Sequence, residues 1–348
     1  MDASRHLDLI DGRRRGAKAA LQRLALRMAS WPYAAAMALR NFAYDRNWFN
    51  VHRARVPVVS VGNLTVGGTG KTPCIEYLAK WFRAHEVCVA ILSRGYGESG
   101  RRNDEALLLE ENLPDVPHLQ GSDRAALAQT AIEELESEVL LLDDGFQHRR
   151  LARDIDLVLI DATNPWGFGA LLPRGLMREP PRSLRRATAA IVTRCDQAAF
   201  EQIDAIEKRM QRIAPGMPVL RSEHRATAWQ QRGEDELAPG ALAGKKAIGF
   251  CGIGNAGAFR RSVEALGLEI AGWKEFPDHH RYQRGDVEDL QDWSANADCD
   301  VVVTTQKDRV KLQLGELAGR PLYALRIEFQ ITKGEETLHE ILKRCLLH

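Results

Sequence analysis

The sequence lacks the features that mark a membrane-spanning, secreted or nucleic-acid-binding chain. No apolar run approaches the roughly 18 residues that crossing a bilayer requires, so no ordinary transmembrane helix is expected. The start, Met1 to Gly16, is polar and has no hydrophobic h-region, which argues against a secretory leader and for the cytoplasm. The cysteines (Cys74, Cys88, Cys195, Cys251, Cys299 and Cys345) are scattered, and none pairs with another at C-x-x-C spacing. That argues against a disulfide scaffold and the usual zinc patterns; buried thiols in a reducing compartment fit best. Net charge is almost absent, since 48 Lys+Arg stand against 47 Asp+Glu, and a globally basic nucleic-acid binder is disfavoured. What remains is a globular or peripheral protein. Its 348 residues exceed what one core usually supports, so two domains are expected.

After Arg13-Arg14-Arg15, a stretch rich in Ala, Leu, Met and aromatics runs from Ala17 to about Trp48, interrupted by Arg23, Arg27, Arg40 and Arg46. Pro32 predicts a helix, a break and a second helix. Basic residues flanking apolar and aromatic positions suit a helix lying in a membrane interface; packing on the protein's own body suits the pattern equally well.

Val56 to Val61 is a β-branched run of strand length, followed by Gly62-Asn63-Leu64-Thr65-Val66-Gly67-Gly68-Thr69-Gly70-Lys71-Thr72-Pro73 and then by apolar residues at helical spacing. Strand, glycine loop, Lys-Thr and helix form a phosphate loop. Gly67, Gly68, Thr69 and Gly70 let backbone N–H groups converge on phosphate at a helix N-terminus. Lys71 would reach the β- and γ-phosphates of a nucleotide, and the Thr72 hydroxyl would hold Mg2+. Thr65 stands where the usual spacing asks for an early glycine, so the loop is a variant form.

Carboxylates follow downstream. Val87 to Leu92 reads as a second buried strand, and Arg94 and Tyr96 come just after it, where parallel sheets bind ligands. Asp104 and Glu105 open a helical stretch, where they serve either as favourable N-terminal charge or as carboxylates for a γ-phosphate. Val139 to Leu142 ends in Asp143, as a Walker B strand does, and Asp144, Gln147 and His148 follow within five residues. Beyond the strand Ile155–Asp161 lies a Pro/Gly-rich loop with arginines and aromatics, Pro165 to Pro180, that suits an amphiphilic anionic substrate. Alternating strands and helices imply an α/β fold, a mostly parallel sheet covered on both faces.

From about Pro218 the texture changes. Short strand candidates, Pro218–Arg221 and Leu322–Ile327, bracket a smaller α/β block containing Phe250-Cys251-Gly252-Ile253-Gly254-Asn255 and a strand and loop, Val301 to Asp308. His279 and His280 beside Asp278 read either as surface loop histidines or as a pair of which one helps to activate a nucleophile. The expected division is an N-terminal helical segment, 1–54, a phosphate-loop core, 55–217, and a smaller α/β domain, 218–348. These features fit a kinase, a phosphate-loop ATPase or ligase acting on a soluble metabolite, or a nucleotide-switched membrane-binding protein.

The segments Gly62–Thr72, Ser93–Gly97, Asp104-Glu105, Asp143–His148, Leu172–Pro180, Phe250–Asn255, Phe276–Tyr282 and Thr304–Asp308 together resemble the tetraacyldisaccharide 4'-kinase family, the lipid A kinases of Gram-negative bacteria. The Asp-Asp-Gly-Phe-Gln-His and Leu-Pro-x-Gly-x-x-Arg-Glu-Pro runs carry the resemblance most specifically. Asn103-Asp104-Glu105-Ala106 departs from an expected Gly-Asp-Glu-Pro but keeps both carboxylates, and the first 16 residues look like an extension. The resemblance implies a phosphate-loop fold with a smaller C-terminal α/β subdomain. It implies ATP- and Mg2+-dependent phosphorylation of the 4'-hydroxyl of a tetraacyldisaccharide 1-phosphate. It also implies a peripheral enzyme on the cytoplasmic side of the inner membrane, whose N-terminal helix meets the lipid; a monomer without nucleic-acid partners is expected. On the matching positions, Asp104 is the implied general base, supported by His279, with Lys71 at the phosphates. Thr72, Glu105, Asp143 and Asp144 are the implied Mg2+ ligands. Arg94, Tyr96, Gln147, His148 and Arg178 are the implied contacts to the sugar and its 1-phosphate.

Overall fold

The computed structural model describes residues 3–95, 104–278 and 280–346. Residues 3–95 supply α1 (Ala3–Ile10), α2 (Ala17–Asp45), β1 (Val58–Asn63), α3 (Lys71–Ala84) and β2 (Val89–Ser93). Next come α4 (Asp104–Asn112), β3 (His118–Gln120), α5 (Arg124–Glu133), β4 (Val139–Asp143), β5 (Ile155–Asp161), β6 (Ala189–Thr193) and α6 (Phe200–Ile213). The rest holds β7 (Val219–Gln230), β8 (Lys246–Cys251), α7 (Ala256–Ala265), β9 (Glu269–Glu275), α8 (Arg284–Asn296) and β10 (Val301–Thr305). It ends with α9 (Gln306–Leu312), β11 (Glu316–Leu317), β12 (Arg320–Lys333) and α10 (Glu335–Lys343).

Contacts divide the chain into two units. One comprises Met1–Tyr96, Leu113–Glu223 and Phe329–His348; the other comprises Gly97–Asn112 and His224–Glu328. In the first unit the strands run in the order β3-β2-β4-β1-β5-β6-β7, every pairing parallel. Every residue of β1, β2, β4 and β6 is buried, so both faces of this sheet are covered and its strands read as continuous apolar runs. Leu140 and Leu142 of β4 pack with Ala128 and Ala131 of α5, while Val158 and Ile160 of β5 pack with Ile206 and Met210 of α6. The fold is thus the expected α/β one with a mostly parallel sheet.

In the second unit β12, β10, β8 and β9 lie side by side and parallel, and β11 folds back antiparallel onto β12. One core gathers Trp229, Phe259 and Val263; another gathers Phe250, Leu290, Val302 and Leu322.

Three local expectations change. The break at Pro32 does not occur: α2 is one helix of 29 residues with the proline inside it. A proline costs a free helix about 3 kcal/mol, but here hydrogen bonds within the first unit hold both sides of it. Ser30 Oγ donates to the Leu171 carbonyl (3.1 Å), Tyr33 Oη to the Arg178 carbonyl (2.9 Å) and Asn41 Nδ2 to Glu179 (2.8 Å). The short strands around Pro218 and Leu322 are long ones of 12 and 14 residues. Lys307 and Asp308, expected in a loop, lie in α9, capped by Thr305, whose Oγ1 accepts from the Asp308 N–H (3.1 Å).

Candidate functional site

The phosphate loop leaves the C-terminal end of β1, at the centre of the first unit's sheet. Its first half is pinned in an extended conformation. Asn63 Nδ2 donates to the Thr65 carbonyl (2.7 Å), the Val66 N–H donates to the Leu176 carbonyl (2.7 Å), and Thr65 makes a β-bridge with Met177. An extended bridge suits any residue, which is why Thr65 replaces the usual glycine without strain. The second half is exposed at Gly67 and Gly68 and turns at Gly70, a left-handed residue (φ 91°) at the N-cap of α3. Buried Thr69 is tied to β6, its carbonyl accepting from Thr193 Oγ1 (2.9 Å). Lys71 and Thr72 are the first two residues of α3, at the positive end of the helix dipole.

β4 delivers the acidic partner to the same edge. Asp143 is its last residue and is buried; Asp144 follows with φ 50°. The turn after it allows no side chain at Gly145, where a Cβ would sit 2.4 Å from Ser60 Oγ. Nor does it allow one at Gly62, where a Cβ would sit 2.5 Å from that of Phe146. The strand end and the Asp144–His148 loop are therefore locked in direct backbone contact. Asp144 takes both prongs of the Arg178 fork at 2.7 Å each, with Lys71 Nζ 3.7 Å away, and Arg178 also donates to Asn63 Oδ1. Burial alone would raise the Asp144 carboxyl; Arg178, Lys71 and Arg124 together hold it well below the usual carboxylate range.

Gln147 Nε2 donates to the Asn63 carbonyl (2.9 Å), and its own carbonyl accepts from Arg40 of α2. His148 is pushed down to about 4 by burial and by Arg124, Arg150, Arg153 and Arg40, so it is neutral near pH 7. Buried Arg124, the first residue of α5, donates to the Asp143 carbonyl (3.2 Å). Glu179, adjacent to Arg178, is wholly buried. It accepts both prongs of Arg186 (2.8 Å each), Asn41 (2.8 Å) and Ser183 (2.9 Å), so it anchors α2 and the 171–179 loop to each other.

The second unit carries its own charged cluster. Asp104 and Glu105 are the first residues of α4, and Asp104 is buried. Lys307 of α9 lies 3.6 Å from Asp104 Oδ2, 3.7 Å from Glu105 and 3.9 Å from Asp278. Burial would lower the Lys307 ammonium, but Glu105, Asp104 and Asp278 outweigh it and raise it. Lys311, one turn on, lies 3.7 Å from Asp104 Oδ2 and 2.8 Å from Asp308 Oδ1, and donates to the His280 carbonyl (3.1 Å). Asp308 is fully buried and also accepts from the Gly252 N–H (2.9 Å) and Thr305 Oγ1 (2.7 Å). The His280 ring stacks on Phe276 and meets Asp286 at 3.0 Å, engaged in holding the start of α8.

Of the residues singled out from sequence, Lys71, Asp143, Asp144, Gln147, His148 and Arg178 are gathered beside the phosphate loop, with Thr72 at the start of α3. Arg94 is an exposed residue just past β2. Asp104 and Glu105 belong to the other unit. Tyr96 and His279 lie outside the described residues. Arg124, Glu179, Arg186, Lys307 and Lys311 were not expected. A pair of lysines four apart after a strand that ends in Thr-Thr was the available signal for the last two.

A family model described as tetraacyldisaccharide-1-P 4'-kinase (LpxK) matches residues 22–346. A tetraacyldisaccharide 4'-kinase from Anaeromyxobacter dehalogenans (strain 2CP-C) is 41% identical over 349 residues, covering 94% of this chain and 92% of its own. One from Syntrophus aciditrophicus (strain SB) is 38% identical, covering 92% of both chains. Among solved structures, the "apo" form of LpxK from Aquifex aeolicus in complex with ATP is similar, with a TM-score of 0.72 and 29% identity, over 93% of this chain and 99% of that one. The match of the family model begins beyond α1.

Proposed function

The chain belongs to the tetraacyldisaccharide-1-P 4'-kinase family, and on that premise we infer that it phosphorylates the 4'-hydroxyl of a tetraacylated disaccharide 1-phosphate with ATP. The observation that carries this reading onto its own residues is the cluster beside the phosphate loop: Lys71 and the Arg178 fork both resting on Asp144, at the N-terminus of α3. Two cations held by one carboxylate at a helix N-terminus form a site that a polyphosphate would compete for.

In this reading residues Gly67–Thr72 cradle the phosphates of ATP, and Lys71 balances charge on the transferred group. Thr72, Asp143 and Asp144 offer the hard oxygen donors that Mg2+ prefers, at adjoining ends of α3 and β4, and Glu105 is the remaining candidate ligand. When bound, Mg2+ would neutralise charge on the phosphate oxygens. Asp104 takes the proton of the 4'-hydroxyl, with His279 sharing the developing charge. Arg94, Tyr96, Gln147, neutral His148 and Arg178 meet the sugar and its 1-phosphate.

α2 supports a lipid acceptor presented at a membrane surface. Leu21, Leu24, Met28, Trp31, Leu39 and Phe42 are all exposed, and their spacing puts them on one stripe of the helix. Arg15 and Lys18 lie at one end of the stripe and Arg46 at the other. In this reading attachment is peripheral, on the cytoplasmic side; among the described residues no helix is long and apolar enough to cross a membrane.

The test is incubation with labelled ATP, Mg2+ and tetraacyl disaccharide 1-phosphate in detergent micelles. Label is expected in the lipid; Asp104→Ala is expected to abolish transfer while ATP still binds. A wild-type protein that leaves the lipid unlabelled would end this reading, and near-normal turnover in Asp104→Ala would remove the base assignment.

A further inference from the structure

We propose that Lys311 is a positioning residue for Asp104, fixing its carboxylate relative to the backbone of His280. The proposal rests on the reading of Asp104 as the base. Lys307 and Lys311 stand four apart on α9, where like charges repel, yet both reach Asp104 Oδ2, at 3.6 and 3.7 Å. An anion between them reconciles the pair. Their surroundings then assign them different tasks.

Lys307 is shared among Asp104, Glu105 and Asp278, each between 3.6 and 3.9 Å away. No contact in that set is short enough to be a directed hydrogen bond, so Lys307 balances charge rather than setting geometry. Lys311 has two close anchors: it donates to the His280 carbonyl at 3.1 Å and forms an ion pair with Asp308 Oδ1 at 2.8 Å. Both anchors are themselves fixed. Asp308 is fully buried and accepts from Gly252 N–H and Thr305 Oγ1. The His280 segment packs so closely on Gly252 that a Cβ there would lie 3.2 Å from His280 Cβ and 3.3 Å from the Pro277 carbonyl.

With the ammonium held by these two anchors, its charge stands at a fixed point 3.7 Å from Asp104 Oδ2, an ion-pair contact rather than a hydrogen bond. The Lys311 side chain is only 12% exposed, so water screens little of this attraction. Tyr282, whose ring lies 5.3 Å from the ammonium, closes the remaining side. A base acts through its placement, and a misplacement of about 1 Å is enough to cost about 10²-fold in rate.

The experiment compares Lys311→Met, Lys311→Arg and Asp104→Asn with the wild-type full chain in the micellar kinase assay, alongside ATP affinity and thermal unfolding of each. Lys311→Met should lower kcat about 10²-fold and leave the KM for ATP and the ATP affinity unchanged, with a lower unfolding temperature because it strands the buried Asp308 carboxylate. Lys311→Arg, which keeps a charged donor, should recover most of that loss. A kcat within twofold of wild type in Lys311→Met, or an arginine variant no better than the methionine one, would overturn the proposal. If Lys311→Met does not fold, Lys311→Arg alone decides, since its kcat must then lie within tenfold of wild type with an unaltered KM. Asp104→Asn separates the two readings. If it retains turnover, the base assignment falls; if it loses turnover while Lys311→Met keeps it, only the role of Lys311 falls.

Discussion

Replacing Arg186 with methionine should show how much of the first unit rests on one carboxylate. Glu179 is wholly buried and accepts from Arg186 twice, from Asn41 and from Ser183. Burial pushes its carboxyl up, but Arg186, Asn41 and Ser183 outweigh that and hold it below the usual range. Arg186→Met would leave that charge at zero exposure with two neutral donors, and breaking a buried pair in this way costs about 3–5 kcal/mol. The upper end is expected, because Arg186 also lies 3.6 Å over the Phe146 ring and donates to the Phe146 carbonyl (3.0 Å). Glu179→Gln should cost less, about 1–3 kcal/mol, since the arginine it frees is already 20% exposed and can turn to water. Combining Arg186→Met with Glu179→Leu removes the stranded charge, so the pair should cost clearly less than the two single changes summed. Urea unfolding followed by circular dichroism at pH 7 and pH 4 measures all of this. A carboxyl depressed in the fold contributes stability above its unfolded value, about 4.3, and loses it as pH falls through the folded value. The difference between wild type and Arg186→Met should therefore shrink in acid. Single-variant costs below about 1 kcal/mol, strict additivity, or a difference that grows on acidification would refute the reasoning.

Lys71→Ala should weaken ATP affinity at least tenfold by removing the cation at the start of α3; unchanged binding in equilibrium dialysis would reduce the loop to a simple turn. His148, depressed to about 4 in the fold, takes up a proton more readily when unfolded. Its contribution is therefore lost as pH falls from about 6.5 toward 4. His148→Gln should flatten the decline in urea midpoint over that range, and an unaltered slope would contradict the assignment. Trp31→Ser with Leu24→Ser should reduce co-sedimentation with anionic lipid vesicles while leaving the unfolding temperature unchanged, since both side chains are exposed. Undiminished pelleting would remove α2 as the attachment surface.

The parts of the fold that were legible in the sequence are those whose local pattern and tertiary role agree. The strand before the phosphate loop, expected at Val56–Val61 and found at Val58–Asn63, and the loop and α3 after it were legible because β-branched burial, glycine and helical spacing follow one another closely there. Leu140 to Asp143 read as a buried strand ending in a carboxylate for the same reason. Pro32 misled because its local cost is offset by Ser30, Tyr33 and Asn41 bonding to loops more than a hundred residues away, which no short window records. Glu179 sat unremarked in a loop assigned to substrate, although it is an internal anchor; its role depends on Arg186 and Asn41, which meet only in the fold. Lys311 left only the trace of its spacing from Lys307 in the sequence, its partners being spread over residues 104, 280 and 308.

The first unit's third stretch, Phe329–His348, has a consequence for biosynthesis. It carries α10, whose Glu335 and His339 meet Tyr77 Oη at 3.1 and 3.0 Å and whose His339 ring lies 5.6 Å from Trp81, both partners being on α3. On a ribosome, everything needed for the second unit has emerged before that cover exists. The half that is translated first is thus the half completed last, and α3 must wait, with its outer side bare, until translation has passed Phe329.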